Sequence, residues 1–272
     1  MGRGRVGGLL GEGFLVGGLL GGGLLGGGFV VIPVLRLAYG VSPALTAGAS
    51  LVMVLANAIS GSIAYLRQGR VDVGLALLVA VTGVPACIAG ALAVRHVSIA
   101  GFDTVYAALL LFFFIDIMRR RRSQAPPSWR VPGLRERTLV DARGETFRYS
   151  WSPALVLLSG VAIGFIASFF GIGGGIVFLI VFIAVFAMPA HIVTATSLAA
   201  MLFIAPVGVA TDWLAGNIDL SFALPLALGG LAGGQLGPQI ARRLSSPQLL
   251  TVLAFAVLAT ALSLISRHVF AR

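Results

Sequence analysis

The chain has a single cysteine in 272 residues, no lysine, nine acidic side chains and three histidines. One cysteine, Cys87 in GVPACIAG, allows no intrachain disulfide and no cysteine metal framework; its apolar setting reads as an inert packed thiol. No metal and no cofactor is expected. Neither glycine-rich run is followed by Lys-Ser or Lys-Thr, so there is no phosphate-binding loop, and primary active transport would need another chain. Charge is scarce altogether: 10% of residues are charged and 58% apolar, with a mean hydropathy of +1.02. A soluble domain cannot bury that much apolar surface, so the chain is a polytopic membrane protein.

The formal charge is +10 and all 19 basic residues are arginine. In a soluble protein this would suggest nucleic acid; here no nucleic-acid partner is expected. Nine of the arginines lie between Arg119 and Arg148, as the positive-inside rule expects of a cytoplasmic loop. The start, MGRGRV and a long apolar stretch without a small-x-small cleavage site, reads as a retained first helix.

Apolar blocks of spanning length lie at residues 6–37, 43–66, 73–94 and 102–118, then at 152–186, 191–214, 220–241 and 247–265. The division is a first transmembrane repeat (1–118), an arginine-rich cytoplasmic linker (119–150) and a second repeat (151–272). The expected fold is all-α, about eight transmembrane helices in two homologous four-helix repeats, each with a glycine-broken first helix. The lipid bilayer, a small anion and a second copy of the chain are the expected partners.

The repeat is visible at a constant offset of 147 residues. Gly26, Gly27 and Gly28 fall on Gly173, Gly174 and Gly175, and Ser50 on Ser197. Gly61, Gly69, Asp72, Gly83, Gly90 and Arg95 fall on Gly208, Gly216, Asp219, Gly230, Gly237 and Arg242. Two homologous halves, each with one broken helix, are a signature of secondary transporters. The first block of each half is too long for one simple span. A tilted helix, a broken helix and a re-entrant hairpin all fit it. Four full spans per half make the repeats parallel, while re-entrant blocks leave three spans and make them inverted. Arginine counting does not separate the two, and the expectation adopted is eight spans with both termini cytoplasmic.

Glycine costs about 1 kcal/mol against alanine in a helix interior, so a triplet breaks the helix for a reason. Unwound backbone inside a bilayer is tolerated where protein or a watery cavity satisfies it. The new helix N-terminus beyond the break favours an anion through its free N–H groups and dipole. Gly26, Gly27, Gly28, Gly173, Gly174 and Gly175 are therefore candidate substrate contacts, with close packing of small residues as the alternative. The next helix of each half adds Thr46, Ser50 and Asn57, or Thr194, Thr196 and Ser197. Such groups donate to an oxyanion without burying a charge; back-bonding within the helix is the alternative for any one hydroxyl. Arg36, Arg67, Arg70 and His191 are candidates for an entrance or gate. Glu12 and Asp116 read as partners of nearby arginines.

GGGFVVIPVL (residues 26–35) and GIGGGIVFLI (171–180), each followed by a Ser-Leu helix start (47–51 and 194–198), then SGSIAYLRQGRVD, resemble the sulfite exporter TauE/SafE family of membrane permeases. Half two departs from it at Ile180, where the first half has Pro33, and in DWLAGNID, which lacks the arginines of its counterpart. The resemblance implies export of sulfur-containing anions such as sulfite, sulfoacetate and other organosulfonates across a bacterial-type cytoplasmic membrane, by alternating access and without enzymatic activity. The residues themselves say small anion. An anion channel and a structural membrane subunit are the alternatives. GASL around Ser50 is too incomplete to argue well for an intramembrane hydrolase.

Overall fold

The computed structural model describes residues 28–122, 133–186, 188–241 and 243–270. Its helices are α1 (Gly28–Leu37), α2 (Pro43–Arg67), α3 (Val73–Ala93), α4 (Ile99–Arg122), α5 (Pro153–Phe170), α6 (Gly175–Phe186), α7 (Ala190–Leu214), α8 (Leu220–Ala241) and α9 (Ser246–Phe270). Strands β1 (Arg135–Val140) and β2 (Thr146–Trp151) lie between α4 and α5. Among the described residues seven helices, α2 to α5 and α7 to α9, are long and apolar enough to cross a membrane. Helix starts follow ordinary capping chemistry: Ser42 precedes Pro43 at the head of α2, and Asp72 Oδ1 accepts from Leu75 N at 3.0 Å at the head of α3.

The starts at 28, 43, 73 and 99 recur at 175, 190, 220 and 246, the same 147-residue offset as the sequence match. The pairing of the helices is reciprocal: α2 packs on α8 as α7 packs on α3, and α4 packs on α9.

Helix direction is fixed by contacts at both ends of α2. In the turn after it, Asp72 N donates to Thr196 Oγ1, in the first third of α7, at 3.1 Å. Near its start, Gly48 abuts the segment after α7: a Cβ there would sit 2.2 Å from Asn217 O. Helices α2 and α7 therefore run in opposite directions. The block 152–186 doubles back. Helix α5 leaves the hairpin and runs to Gly171, beside Ala47; the break packs Gly174 against Ile163 and Ala167 of α5, and α6 then returns along α5 and touches β2. The chain enters and leaves on one face, so three helices of the second half, α7 to α9, cross fully. This corrects the expectation of four full spans in the second half and of parallel repeats. The physical reason is the glycine break, which lets the backbone reverse where a continuous helix would exit on the far side. The corresponding break of the first half, at residues 26 and 27, lies outside the described residues.

The linker is not purely helical or irregular, a second departure from an all-α expectation. Helix α4 continues to Arg122, and residues 135–151 form an antiparallel hairpin pairing Arg135 with Trp151 and Val140 with Thr146. Alternation in TFRYSW puts Phe147, Tyr149 and Trp151 on one face, and Tyr149 is buried. The turn is held by Asp141, whose Oδ1 accepts from Arg143 N at 2.8 Å and Glu145 N at 3.0 Å.

Small residues let helices approach closely, as membrane packing favours. Between α3 and α5, a Cβ on Gly164 would lie 2.0 Å from Gly83 O, and one on Gly90 2.4 Å from Phe165 O. For these glycines packing is the whole explanation.

Candidate functional site

Three glycines of the second break, Gly171, Gly173 and Gly174, have φ of 72°, 79° and 63°. That left-handed backbone costs other residues roughly 1–2 kcal/mol each, so the sequence GIGG permits the reversal that ALIA would not. The first turn of α6 then forms from Gly175, with Phe178 N donating to Gly174 O at 2.7 Å. Gly28, the first residue of α1, faces this break directly: a Cβ on it would sit 2.3 Å from Gly171 O and 3.1 Å from Ile172 C. Gly28 and the second glycine break, far apart in sequence, therefore meet backbone to backbone.

Ser50 ties them together. Its hydroxyl lies 2.7 Å from Gly171 O and 3.3 Å from Gly28 O, one proton shared between two carbonyls from the two halves. One turn further along α2, Val54 packs against Gly173, and on the other side Met201 of α7 packs against Gly174. Val54 and Met201 are themselves 147 apart. Asn57 follows Val54 by one turn. It is fully buried, and neither Nδ2 nor Oδ1 has a hydrogen-bond partner. Buried amides are nearly always paired, so Asn57, one turn beyond Val54 on α2, is a buried group with unused capacity to hold a polar ligand.

The other expected contacts are placed differently. Thr46 Oγ1 reaches its own Val41 O at 3.4 Å, Thr194 Oγ1 donates to Ala190 O at 2.8 Å, and Ser197 Oγ to Thr194 O at 2.9 Å. These three are back-bonded locally. Thr196 is occupied with Asp72 N. Gly26 and Gly27 lie outside the described residues. Among the described residues the partners of the Ser50 hydroxyl are carbonyls.

The entrance arginines also need correction. Arg36 is 2% exposed and pairs with Asp103 through Nε at 2.9 Å and Nη2 at 2.8 Å, with a further bond to Val41 O. It is a buried structural cation, because α4 supplies a carboxylate at the end of α1. Arg70 is buried too, clamped by the hairpin: Nη2 lies 2.9 Å from Asp141 Oδ2 and 3.2 Å from Glu145 Oε2, with Phe147 stacked 5.9 Å below. Its neighbour Asp72 accepts from Tyr149 OH at 2.6 Å and pairs with Arg137 at 3.1 Å. Arg67 is exposed, on a cleft of about 150 Å³ shared with Gln68 and Arg143. His191 is half-buried at the start of α7, on the same face.

Sequence reading missed Asp103, Tyr106, whose OH donates to Phe29 O at 2.8 Å and pins α1, and the buried Asp212 of α7. The spacing of Asp103 after a short turn carries no local signal. Asp212 was readable as a lone carboxylate in an apolar block. A groove of about 500 Å³ between α1 and α9, lined by Val30, Pro33, Val34, Leu37, Ala256 and Ala259 among others, has no charged lining and does not suit an anion.

The hairpin clamp has a testable pH response. Burial pushes the Asp141 carboxyl up, but Arg70 and the N–H groups of Arg143 and Glu145 together hold it below its ordinary range. Burial and the bond to Asp72 push the Tyr149 phenol far up, so it stays a donor. Because the folded Asp141 value is depressed, its stabilisation is complete above the unfolded value of about 3.9 and is lost as pH falls through the folded value. Amide exchange across residues 135–151 should stay protected from pH 7 to about pH 4 and open below that, and in Arg70→Gln it should open at every pH.

A family model for the sulfite exporter TauE/SafE family matches residues 9–264. The probable membrane transporter protein YunE of Bacillus subtilis (strain 168) is 25% identical over 237 residues, 87% of this chain and 86% of the relative. The probable membrane transporter protein YjnA of the same organism is 31% identical over 135 residues, 47% of this chain and 53% of the relative. No solved structure gives a match.

Proposed function

The chain belongs to the sulfite exporter TauE/SafE family of membrane transporters, and from that premise we propose that it exports small sulfur-containing anions, such as sulfite, sulfoacetate or another organosulfonate, by alternating access between two inverted repeats. The observation that carries the reading is the junction of Gly28, Ser50 and Gly171 with the unpartnered Asn57 two turns beyond Ser50 on α2. A sulfonate offers three acceptor oxygens. The Asn57 amide and the first-turn N–H groups of α6 that follow Gly175, whose own N–H donates to Gly173 O, would supply donors without a buried cation. Rocking of one repeat against the other would part Gly28 from the second glycine break that it now touches. A potential negative inside favours anion exit by about 2.3 kcal/mol per charge per 100 mV.

The hairpin face, with Arg67, Arg70, Arg119 to Arg122 and the hairpin arginines, is the cytoplasmic one on this reading. Helix α9 starts beside the end of α4, where Leu250 and Ile117 line one small cavity, and so ends on the other face. On this reading the end of α9 lies outside, and the proposal departs from the expected cytoplasmic C-terminal end. The membrane is the cytoplasmic one, and a homodimer remains part of the proposal.

The test is thermal stabilisation of the purified protein by sulfite, sulfate, thiosulfate, sulfoacetate, taurine, acetate and chloride, since a ligand of the native state raises its stability by mass action. Selective stabilisation by sulfite or a sulfonate is expected. Asn57→Leu should abolish that shift yet raise the ligand-free stability by about 1–2 kcal/mol, because it removes an unsatisfied buried amide. A panel without selectivity, or a full response in Asn57→Leu, would remove the anion seat from this junction.

A further inference from the structure

Asp212 is the carboxylate that the description so far leaves without a task. It lies one turn from the end of α7, is 0% exposed, and its Oδ1 accepts from Asn217 Nδ2 at 2.9 Å. Its Oδ2 is buried and has no hydrogen-bond partner. Among the described residues no cation pairs with it.

Its surroundings are defined on each side. A Cβ on Gly208, one turn earlier on α7, would lie 2.6 Å from Cys87 Sγ of α3, 2.7 Å from Leu51 of α2 and 3.5 Å from Ser168 Oγ of α5. Cys87 Sγ itself lies 3.7 Å from Ile204 O, on this side of α7. Asp219, two residues past Asn217, turns its own carboxylate onto Ser221 N at 2.8 Å and Ser221 Oγ at 2.5 Å. A carboxylate in such a place takes a proton or a partner, because an isolated buried charge is the costliest arrangement available.

The repeat sharpens this. At the 147-residue offset Asp212 corresponds to Tyr65, and Asn217 to Arg70. The first half thus has a phenol with an arginine nearby, and the second has an acid with an amide. The cation that would hold the acid charged has been replaced at the corresponding turn. Gly69 and Gly216 keep the same left-handed turn, φ 68° and 73°, so backbone shape is retained while the charge is changed.

A contact path joins this acid to the junction. Asn217 N donates to Asp212 O at 2.8 Å, and Asn217 O presses on Gly48, two residues before Ser50. We infer that Asp212 is a reversible proton-binding site that couples anion movement to proton movement. Its proton is taken from water at the face opposite the hairpin and released when the Asn217–Gly48 contact shifts. The step is a simple protonation, carboxylate plus proton giving carboxylic acid, with no other bond made or broken. The coupling rests on the transport reading above; the protonation does not.

Two measurements separate these. Infrared titration of the full chain in liposomes without added anion should show a protonated-carboxyl band that appears with falling pH and is missing in Asp212→Asn. Asp212→Glu should move that band rather than delete it, which holds even if Asp212→Asn folds poorly. A wild-type spectrum with no band attributable to Asp212 overturns the inference. In proteoliposomes a sulfoacetate gradient should drive proton movement in the wild type, whereas Asp212→Asn should pass sulfoacetate with at least tenfold less proton movement. Equal proton movement in both overturns the coupling. If the wild type passes no sulfoacetate, the transport reading fails and the infrared result decides the proton site by itself.

Discussion

Gly28→Ala is expected to unfold or trap the protein: its thermal midpoint in detergent should fall steeply and any sulfonate-induced shift should vanish. The single added methyl group lands 2.3 Å from Gly171 O and 2.9 Å from Ser50 Oγ. Overpacking typically costs about 1–3 kcal/mol when side chains can yield. Here the colliding atom is main chain, in a segment already fixed by three left-handed glycines, so the cost lies at or above the top of that range. Gly40→Ala is the control. Gly40 has φ 65° and open space around its Cβ position, so it should lose about 1–2 kcal/mol through backbone conformation alone. A Gly28→Ala protein as stable as Gly40→Ala would mean that Gly28 is not packed on the second break, and the junction would lose its claim to be the site.

The junction was legible in the sequence because its signals are local. Gly173 and Gly174 announce a break, the offset of 147 announces its twin, and polar positions on the following helix can be read by eye. Which of those positions matter was not legible. Ser50 and Ser197 look alike in sequence, but Ser50 meets carbonyls of both halves while Ser197 bonds to its own helix. That difference depends on where other helices come to rest. The re-entrant path was one of three readings that fit the block 152–186. Length and hydropathy are the same for all three, and contacts with β2, Ile163 and Ala167 separate them. The hairpin was hidden for another reason. Its strands are short, charged on one face and embedded in an arginine-rich stretch whose composition already had an explanation in membrane orientation.

Arg36→Ile alone should destabilise the protein by about 3–5 kcal/mol, while Arg36→Ile with Asp103→Leu should restore most of that loss. The repeat supplies the reasoning. Position 183, the counterpart of Arg36, is Ile, and position 250, the counterpart of Asp103, is Leu; the two line one small cavity with Asp116, Ile117, Leu179 and Ile180. At these two positions the joint therefore carries a buried ion pair in one half and an Ile and a Leu in the other. Removing one partner leaves a charge stranded at 2% or 4% exposure, whereas removing both reproduces chemistry the chain already uses in its other half. Thermal midpoints of the two single variants and the double variant close the cycle. Transport by the double variant then decides what the pair is for. Retained sulfonate flux makes it a joint alone. Lost flux in a stable double variant makes the asymmetry functional: the end of α1 would need a cation near the face opposite the hairpin, where an exported anion leaves.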